Sequence, residues 1–200
     1  QADEPTRRAL AIRAARLLLH RAGRAREAFD RLLEATENDT DDTLHTLLVE
    51  SAVAAGAGAR LHEMLAERVD EAMDATVART AMRARASLFE RESQHSEAAD
   101  LYQRLSGMSP NDDALKDAHR QALARAGRHQ DLLSALDGAL RRAKSEDEKV
   151  AIARERAKLW EGPLANRYEA IDAWKKLIAL RPSDDEAVSY THLRAHETVL

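Results

Sequence analysis

Cysteine is absent from the 200 residues of this sequence. The absence excludes a disulfide framework, a thiolate metal site and a cysteine nucleophile. No apolar run approaches the roughly 18 residues that a membrane-spanning helix needs, so we expect no membrane span. The net charge is only −4, with both signs interspersed, which argues against a surface dedicated to nucleic acid.

Glycine, proline and aromatic residues are also scarce. The seven glycines and four prolines are too few for a turn-rich all-β protein. Aromatic residues make up 4% of the chain, so any core must consist mostly of alanine and leucine, which favour helices. No stretch alternates apolar and polar residues as a strand would. The composition therefore predicts an all-α fold.

Several residues mark predicted helix ends. Pro5 lies where a first helical turn tolerates proline, and the polar stretch 38–42 is typical of a turn and N-cap. Ser145 with Glu148, and Ser183 with Glu186, have the spacing of a capping box. We expect the first helix to bury the apolar residues that recur at helical spacing, which are Leu10, Ala14, Leu17 and Leu18.

The chain repeats itself at two periods. Turn-forming residues are spaced 35, 35 and 34 apart, at Gly23, Gly58, Ser93 and Gly127. This is the length of one helical hairpin, and hairpins that stack share one continuous core. A longer period of 71 aligns residues 154–161 with residues 83–90, with five of eight positions identical. Such self-similarity indicates a repeat architecture.

The repeat resembles the tetratricopeptide repeat (TPR), in particular its long bacterial members. The residues that carry the resemblance are Ala86, Phe89, Ala98, Tyr102, Leu105 and Pro110, and then Ala157, Trp160, Ala170, Trp174, Leu177 and Pro182. The resemblance implies a TPR-like α-solenoid over residues 1–187, a right-handed superhelix of antiparallel helix pairs in about five repeats. We expect Ala86 and Ala157 to lie where two helices nearly touch, and Ser87 to be exposed.

The last residues form a second segment. Residues 188–198 resemble one reading frame of a transposase-type sequencing-library adapter, so we expect residues 188–200 to be a non-native tail. The chain begins with Gln1 rather than Met, and with this tail it is expected to be a fragment. The tail should still be helical, with Ala187, Tyr190 and Leu193 packed against the preceding helix.

Motifs for catalysis or cofactor binding are not found. There is no glycine-rich phosphate loop and no nucleophile elbow. His192 and His196 have the spacing of two metal ligands on one helix face, but they lie in the tail. We therefore assign no catalytic, cofactor-binding or metal-binding residue, and expect no enzyme.

The candidate partner-binding residues are polar and flank the apolar stripe of the first helix in each well-matched repeat: Arg83, Ser87, Glu90, Arg154, Lys158 and Glu161. One hypothesis makes them a ladder that binds a partner. The alternative is salt bridging within each helix and common descent of the repeats. They do not match the Lys/Asn/Arg clamp with which some relatives hold a C-terminal carboxylate.

The resemblance implies a scaffold that binds a protein or peptide on the concave face of the array. The alternative is a sensory or assembly arm of a larger enzyme or transcriptional regulator. In both cases we expect a protein or peptide partner, no nucleic acid and no cofactor.

Overall fold

The computed structural model describes residues 4–36 and 39–197, and within these ranges it describes side chains from Pro5 to His192. This part of the chain contains eleven α-helices and no strand, which confirms the all-α prediction. In chain order they are α1 Glu4–His20, α2 Ala25–Ala35, α3 Asp42–Ala54, α4 Gly58–Glu71, α5 Ala75–Arg91, α6 His95–Met108, α7 Asp113–Arg125, α8 His129–Arg142, α9 Glu146–Glu161, α10 Arg167–Leu180 and α11 Asp185–Glu197. None of these helices is both long enough and apolar enough to cross a membrane.

One residue with positive φ separates the two helices of each successive pair, from α1–α2 to α9–α10. These residues are Gly23, Gly56, Ser93, Gly127 and Ala165. A left-handed residue ends an α-helix because it turns the chain while the next N–H groups bond back to the last carbonyls. Five helix pairs result, as the repeat period predicts.

The sequence leaves Gly56 and Gly58 as alternatives for the residue that ends the third helix, and the structure selects Gly56. Gly56 has the positive φ of 63°, whereas Gly58 is the first residue of α4. An added Cβ at Gly58 would lie 1.9 Å from Glu92 Oε1, so the flexible Glu92 side chain would have to move. Gly58 therefore leaves room for the Glu92 carboxylate at the start of α4.

A polar residue caps the N-terminus of each described helix that begins a pair after the first, from α3 to α11. The caps are Asp41, Asp74, Asp112, Ser145 and Asp184. Asp41 and Asp112 are 71 residues apart, as are Asp74 and Ser145, so the longer sequence period is also a structural period.

The two predicted capping boxes differ from the structure. Ser145 Oγ accepts a hydrogen bond from Glu148 N–H at 3.1 Å as expected, but the Glu148 carboxylate accepts from Lys144 N–H at 2.9 Å. The second box is wrong, because Asp184 rather than Ser183 caps α11, accepting from Ala187 N–H at 3.2 Å. A carboxylate suits that position, since it also favours the helix dipole.

The chain divides into two compact units, Gln1–Ala122 and Leu123–Leu200. The first unit has a core built by α1 to α5, with Phe29, Leu44, Leu61 and Leu88 fully buried. The second has a core formed by α9, α10 and α11 around Trp174. Each core is mostly alanine and leucine, as the scarcity of aromatic residues predicts.

The predicted phase of α1 is partly wrong. Leu18 is buried, but Leu10 and Leu17 are 57% and 44% exposed. Ala15 and Leu18 instead face the core, with Ala11, Ile12 and Leu19 partly buried beside them. The exposed face of α1 therefore carries two large apolar side chains.

The small residues of the repeat lie where predicted. Ala86, Ala98, Ala157 and Ala170 are all 0% exposed, which allows their helices to approach closely. The other buried positions of the pattern are Leu105, Trp174 and Leu177, and the half-buried ones are Phe89, Tyr102 and Trp160.

The final helix, α11, packs on α10 as expected for the tail. Ala187 is fully buried, and the ring of Tyr190 lies 5.6 Å from that of Trp174. Leu193, which completes the predicted stripe, lies beyond the described side chains.

Candidate functional site

Arg83 and Arg154 occupy the same position in α5 and α9, and both reach forward to the helix cap of the next pair. Arg83 Nη2 lies 3.5 Å from Asp112 Oδ2. Arg154 donates a hydrogen bond to Asp184. We call this contact the N-cap clamp. It joins each helix to the start of a helix about thirty residues later in the chain.

The same clamp occurs at the start of the chain, where the sequence did not suggest it. Arg8 of α1 donates from Nε to Asp39 Oδ2 at 2.7 Å, and its Nη1 lies 3.9 Å from the cap residue Asp41. The clamps thus begin in the first, third and fifth helix pairs. The caps between them, Asp74 and Ser145, are exposed and receive no such arginine among the described residues. The described clamps thus fall in alternate helix pairs, as the 71-residue sequence period does.

Asp184 is the most buried member of these pairs, with its side chain 3% exposed. Desolvation acts to raise its pKa, but the hydrogen bonds from Ala187 N–H and Arg154, with the charges of Arg154 and Arg181, outweigh it and lower the pKa below the ordinary 3.8. Since the folded-state pKa is depressed, the stability that the ionised carboxylate contributes is present above pH 3.8. It is lost as the pH falls through the folded-state value.

The clamp predicts a measurable coupling between Arg154 and Asp184. In a double-mutant cycle of Arg154→Ala and Asp184→Ala, we expect an interaction energy of about 1 to 2 kcal/mol at neutral pH, because one partner is buried. The exposed pair Lys176–Asp172, 2.6 Å apart, should give less than about 0.5 kcal/mol. Urea unfolding measures both cycles, and an equal coupling in the two would contradict the clamp.

The other candidates also have partners within the chain. Glu90 Oε2 lies 3.4 Å from His95 Nδ1, and Glu161 Oε2 accepts a hydrogen bond from Trp174 Nε1 at 3.2 Å. Lys158 Nζ pairs with Glu186 at 2.9 Å. Ser87 is half-buried, so its predicted exposure is wrong. Each of these contacts joins two helices, so they are not the intrahelical salt bridges of the alternative. Partner binding by the ladder stays a prediction.

Arg83 also lines an open groove in the first unit, which we call the α5 groove. Its volume is about 510 Å³. The start of α3 supplies Asp42, whose Oδ2 is 3.3 Å from Arg83 Nη1, and the start of α7 supplies Asp112 on the other side. The uncharged polar residues that line it are Thr40, Thr76, Thr80, Ser109 and Asn111.

The side chains of the α5 groove suit the binding of an extended peptide. Hydroxyl and amide groups both donate and accept hydrogen bonds, as the backbone of an extended peptide requires. Arg83 is held by acids on both sides, and Arg79 Nη2 donates to Thr76 Oγ1 at 3.3 Å, so the guanidinium groups are positioned before a ligand arrives. Sequence reasoning found Arg83 but missed the threonines, because their contribution depends on which helices are neighbours.

A metal site is not formed by the described residues, which contain no group of three or more His, Asp or Glu that could hold an ion. Among the histidines whose side chains are described, the most buried is His45, at 4% exposure. Desolvation lowers its pKa below 6.5, although the hydrogen bond between its Nδ1 and the Asp41 carbonyl acts in the opposite direction. His45 therefore has a packing role at the start of α3.

Comparison with known proteins identifies the fold. No family model matches the chain, and no curated protein does. A kinesin light chain-like protein of Podosopora anserina, solved as a crystal structure with nearly identical TPR-like repeats, is 16% identical with a TM-score of 0.56, over 90% of this chain and 98% of that chain. A single-substitution variant of that protein is also 16% identical, with a TM-score of 0.55 over 90% and 97%. The predicted TPR-like array of helix pairs is thereby confirmed.

Proposed function

We propose that this protein is a non-enzymatic scaffold that binds an extended peptide segment of a partner protein in the α5 groove. The TPR-like repeat fold is generally non-catalytic. The observation that carries the proposal is the groove itself, about 510 Å³ of open space lined by hydroxyl, amide and guanidinium groups. Peptides bind such grooves by pairing their backbone groups with the lining while side chains set the specificity.

The position of the groove also supports the proposal. It is bordered by the starts of α3 and α7 and by the first half of α5, all from the first unit. The N-cap clamp between Arg83 and Asp112 fixes one edge. A preorganised lining lowers the ordering cost of binding, so a short peptide can bind without a large apolar contact.

The test is to fill the groove. Thr76 is exposed and lines the groove, so Thr76→Trp should block it without disturbing the core. Thr46→Trp is the matched control, because Thr46 is exposed on α3 and lies outside the groove. Phage-displayed random peptides are the probe. We expect the parent and Thr46→Trp to bind a common set of related peptides, and Thr76→Trp to lose them.

If the parent selects no related peptides, or if Thr76→Trp retains those selected by the parent, the α5 groove is not the binding site. Circular dichroism of both variants before the experiment establishes that they are folded.

A further inference from the structure

The first part of the chain contains a concentrated positive charge that the small net charge of the protein conceals. Residues 5–26 contain seven arginines and no acidic residue. Three of the seven form ion pairs with acids further along: Arg8 with Asp39, Arg24 with Glu27, and Arg26 with Asp30.

The remaining arginines have no such partner. Arg13, Arg16 and Arg21 form no ion pair or side-chain hydrogen bond with any described residue, and all three are exposed. They line an open groove of about 790 Å³ together with Leu17, His20 and, from α3, Thr43. We call it the α1 groove. One acid pairs with the lining, since Glu50 Oε1 lies 3.9 Å from His20 Nε2.

We propose that the α1 groove binds a short acidic segment of a partner protein, in which aspartate or glutamate residues flank an apolar side chain. The proposal rests on the proposed scaffold function and names the chemistry of the partner. Three unpaired guanidinium groups call for carboxylates, with which arginine forms bidentate hydrogen bonds.

The apolar side chain of the segment would contact Leu17. Leu17 is 44% exposed at the groove although most leucines of the chain are buried. An apolar side chain of the partner would remove this surface from water. A nucleic acid backbone offers no such group, which is why a peptide fits the lining better.

The dimensions fit a short segment. Arg13 and Arg21 are eight residues apart on or just after α1, which corresponds to about 12 Å along a helix axis. An extended peptide covers that length with roughly three to four residues. Two carboxylates at alternating positions would thus lie opposite arginines, with an apolar residue between them.

The experiment uses the whole chain and defined probes. A fluorescent peptide with a central leucine between aspartate and glutamate residues is compared, by fluorescence anisotropy, with the same peptide carrying asparagine and glutamine. We expect the acidic peptide to bind more tightly, and its affinity to fall as salt is added because the arginines are exposed.

Two variants locate the binding. The double variant Arg13→Glu with Arg16→Glu should weaken binding of the acidic peptide roughly tenfold or more, since each attraction becomes a repulsion. Arg104→Glu is the control, because Arg104 is exposed on α6 and outside the groove. It should change the affinity less than about twofold.

The outcomes that overturn the proposal are equal binding of the acidic and amide peptides, equal weakening by Arg104→Glu, or binding of a single-stranded oligonucleotide or an anionic vesicle with no binding of the acidic peptide. The phage-selected peptides and the Thr76→Trp variant separate this proposal from the scaffold function. Suppose the acidic peptide binds no better than the amide peptide, while the parent still binds phage-selected peptides that Thr76→Trp loses. That result removes only the proposal for the α1 groove.

Discussion

Replacing Ala157 with arginine is expected to destabilise the protein by about 3 kcal/mol or more, or to prevent folding. Ala157 is fully buried in the core of the second unit, beside Ala153, Ala173 and Trp174. The new side chain would have to displace neighbouring atoms from a packed interior. Its charge would also lose water without gaining a partner.

The matched control is Ala151→Arg, the same substitution on the same helix. Ala151 is exposed on α9, so the variant should stay within about 0.5 kcal/mol of the parent. Urea unfolding followed by circular dichroism compares the two directly. Similar losses in the two variants would show that the small position of the repeat does not mark the contact between helices.

The alanine and aromatic pattern predicted the fold well because it follows from packing. Ala86 and Ala157 are small where two helices approach, and Trp174 packs in the same core as Ala157, so the core positions could be predicted from local spacing. In α1, local spacing was not enough to predict which leucine is buried. Leu17, Leu18 and Leu19 are consecutive, and which of them is buried depends on the direction from which α2 and α3 pack.

The choice between adjacent capping residues also depended on tertiary contacts. Ser183 and Asp184 are both good N-cap residues, and Asp184 takes the position where Arg154 can reach it. The same holds for the candidate site. Arg83 and Arg154 were found because both copies carry arginine, but their acids lie about thirty residues further on. The acids at 112 and 184 are spaced 72 apart, close to the 71 between Arg83 and Arg154, and this was the signal that could have revealed the clamp.

The exposed arginines of α1 were missed for a different reason. Net charge averages over the chain, and a value of −4 is compatible with a stretch of 22 residues that has no acid. Charge counted in windows would have found the stretch. Only the structure shows that Arg8 is paired whereas Arg13 and Arg16 form no ion pair with a described residue.

Trp174→Ala should cost about 3 to 5 kcal/mol, the second large effect that we expect. The Trp174 side chain is 1% exposed, and its indole N–H donates to Glu161. Deleting the ring leaves a cavity in the centre of the second core and removes a donor from a carboxylate. Thermal and urea unfolding of the variant beside the parent measure the loss.

Tyr190→Ala is the comparison that tests the tail. Tyr190 contacts the Trp174 ring but is only half-buried, so its removal should cost about 1 kcal/mol. Truncation after Ala187 should cost a similar amount, because it keeps Asp184, its bond to Ala187 N–H and the clamp from Arg154. What it removes is the apolar area that Tyr190 and its neighbours cover.

The adapter hypothesis requires that this contact was never selected, and it therefore predicts one more result. The truncated chain should bind phage-selected peptides with the affinity of the parent, since both the α5 groove and the α1 groove lie in the first unit. A truncated chain that unfolds, or a Tyr190→Ala loss as large as that of Trp174→Ala, would instead make residues 188–200 an integral part of the second core. Unfolding curves and binding measurements on the three variants decide between the two.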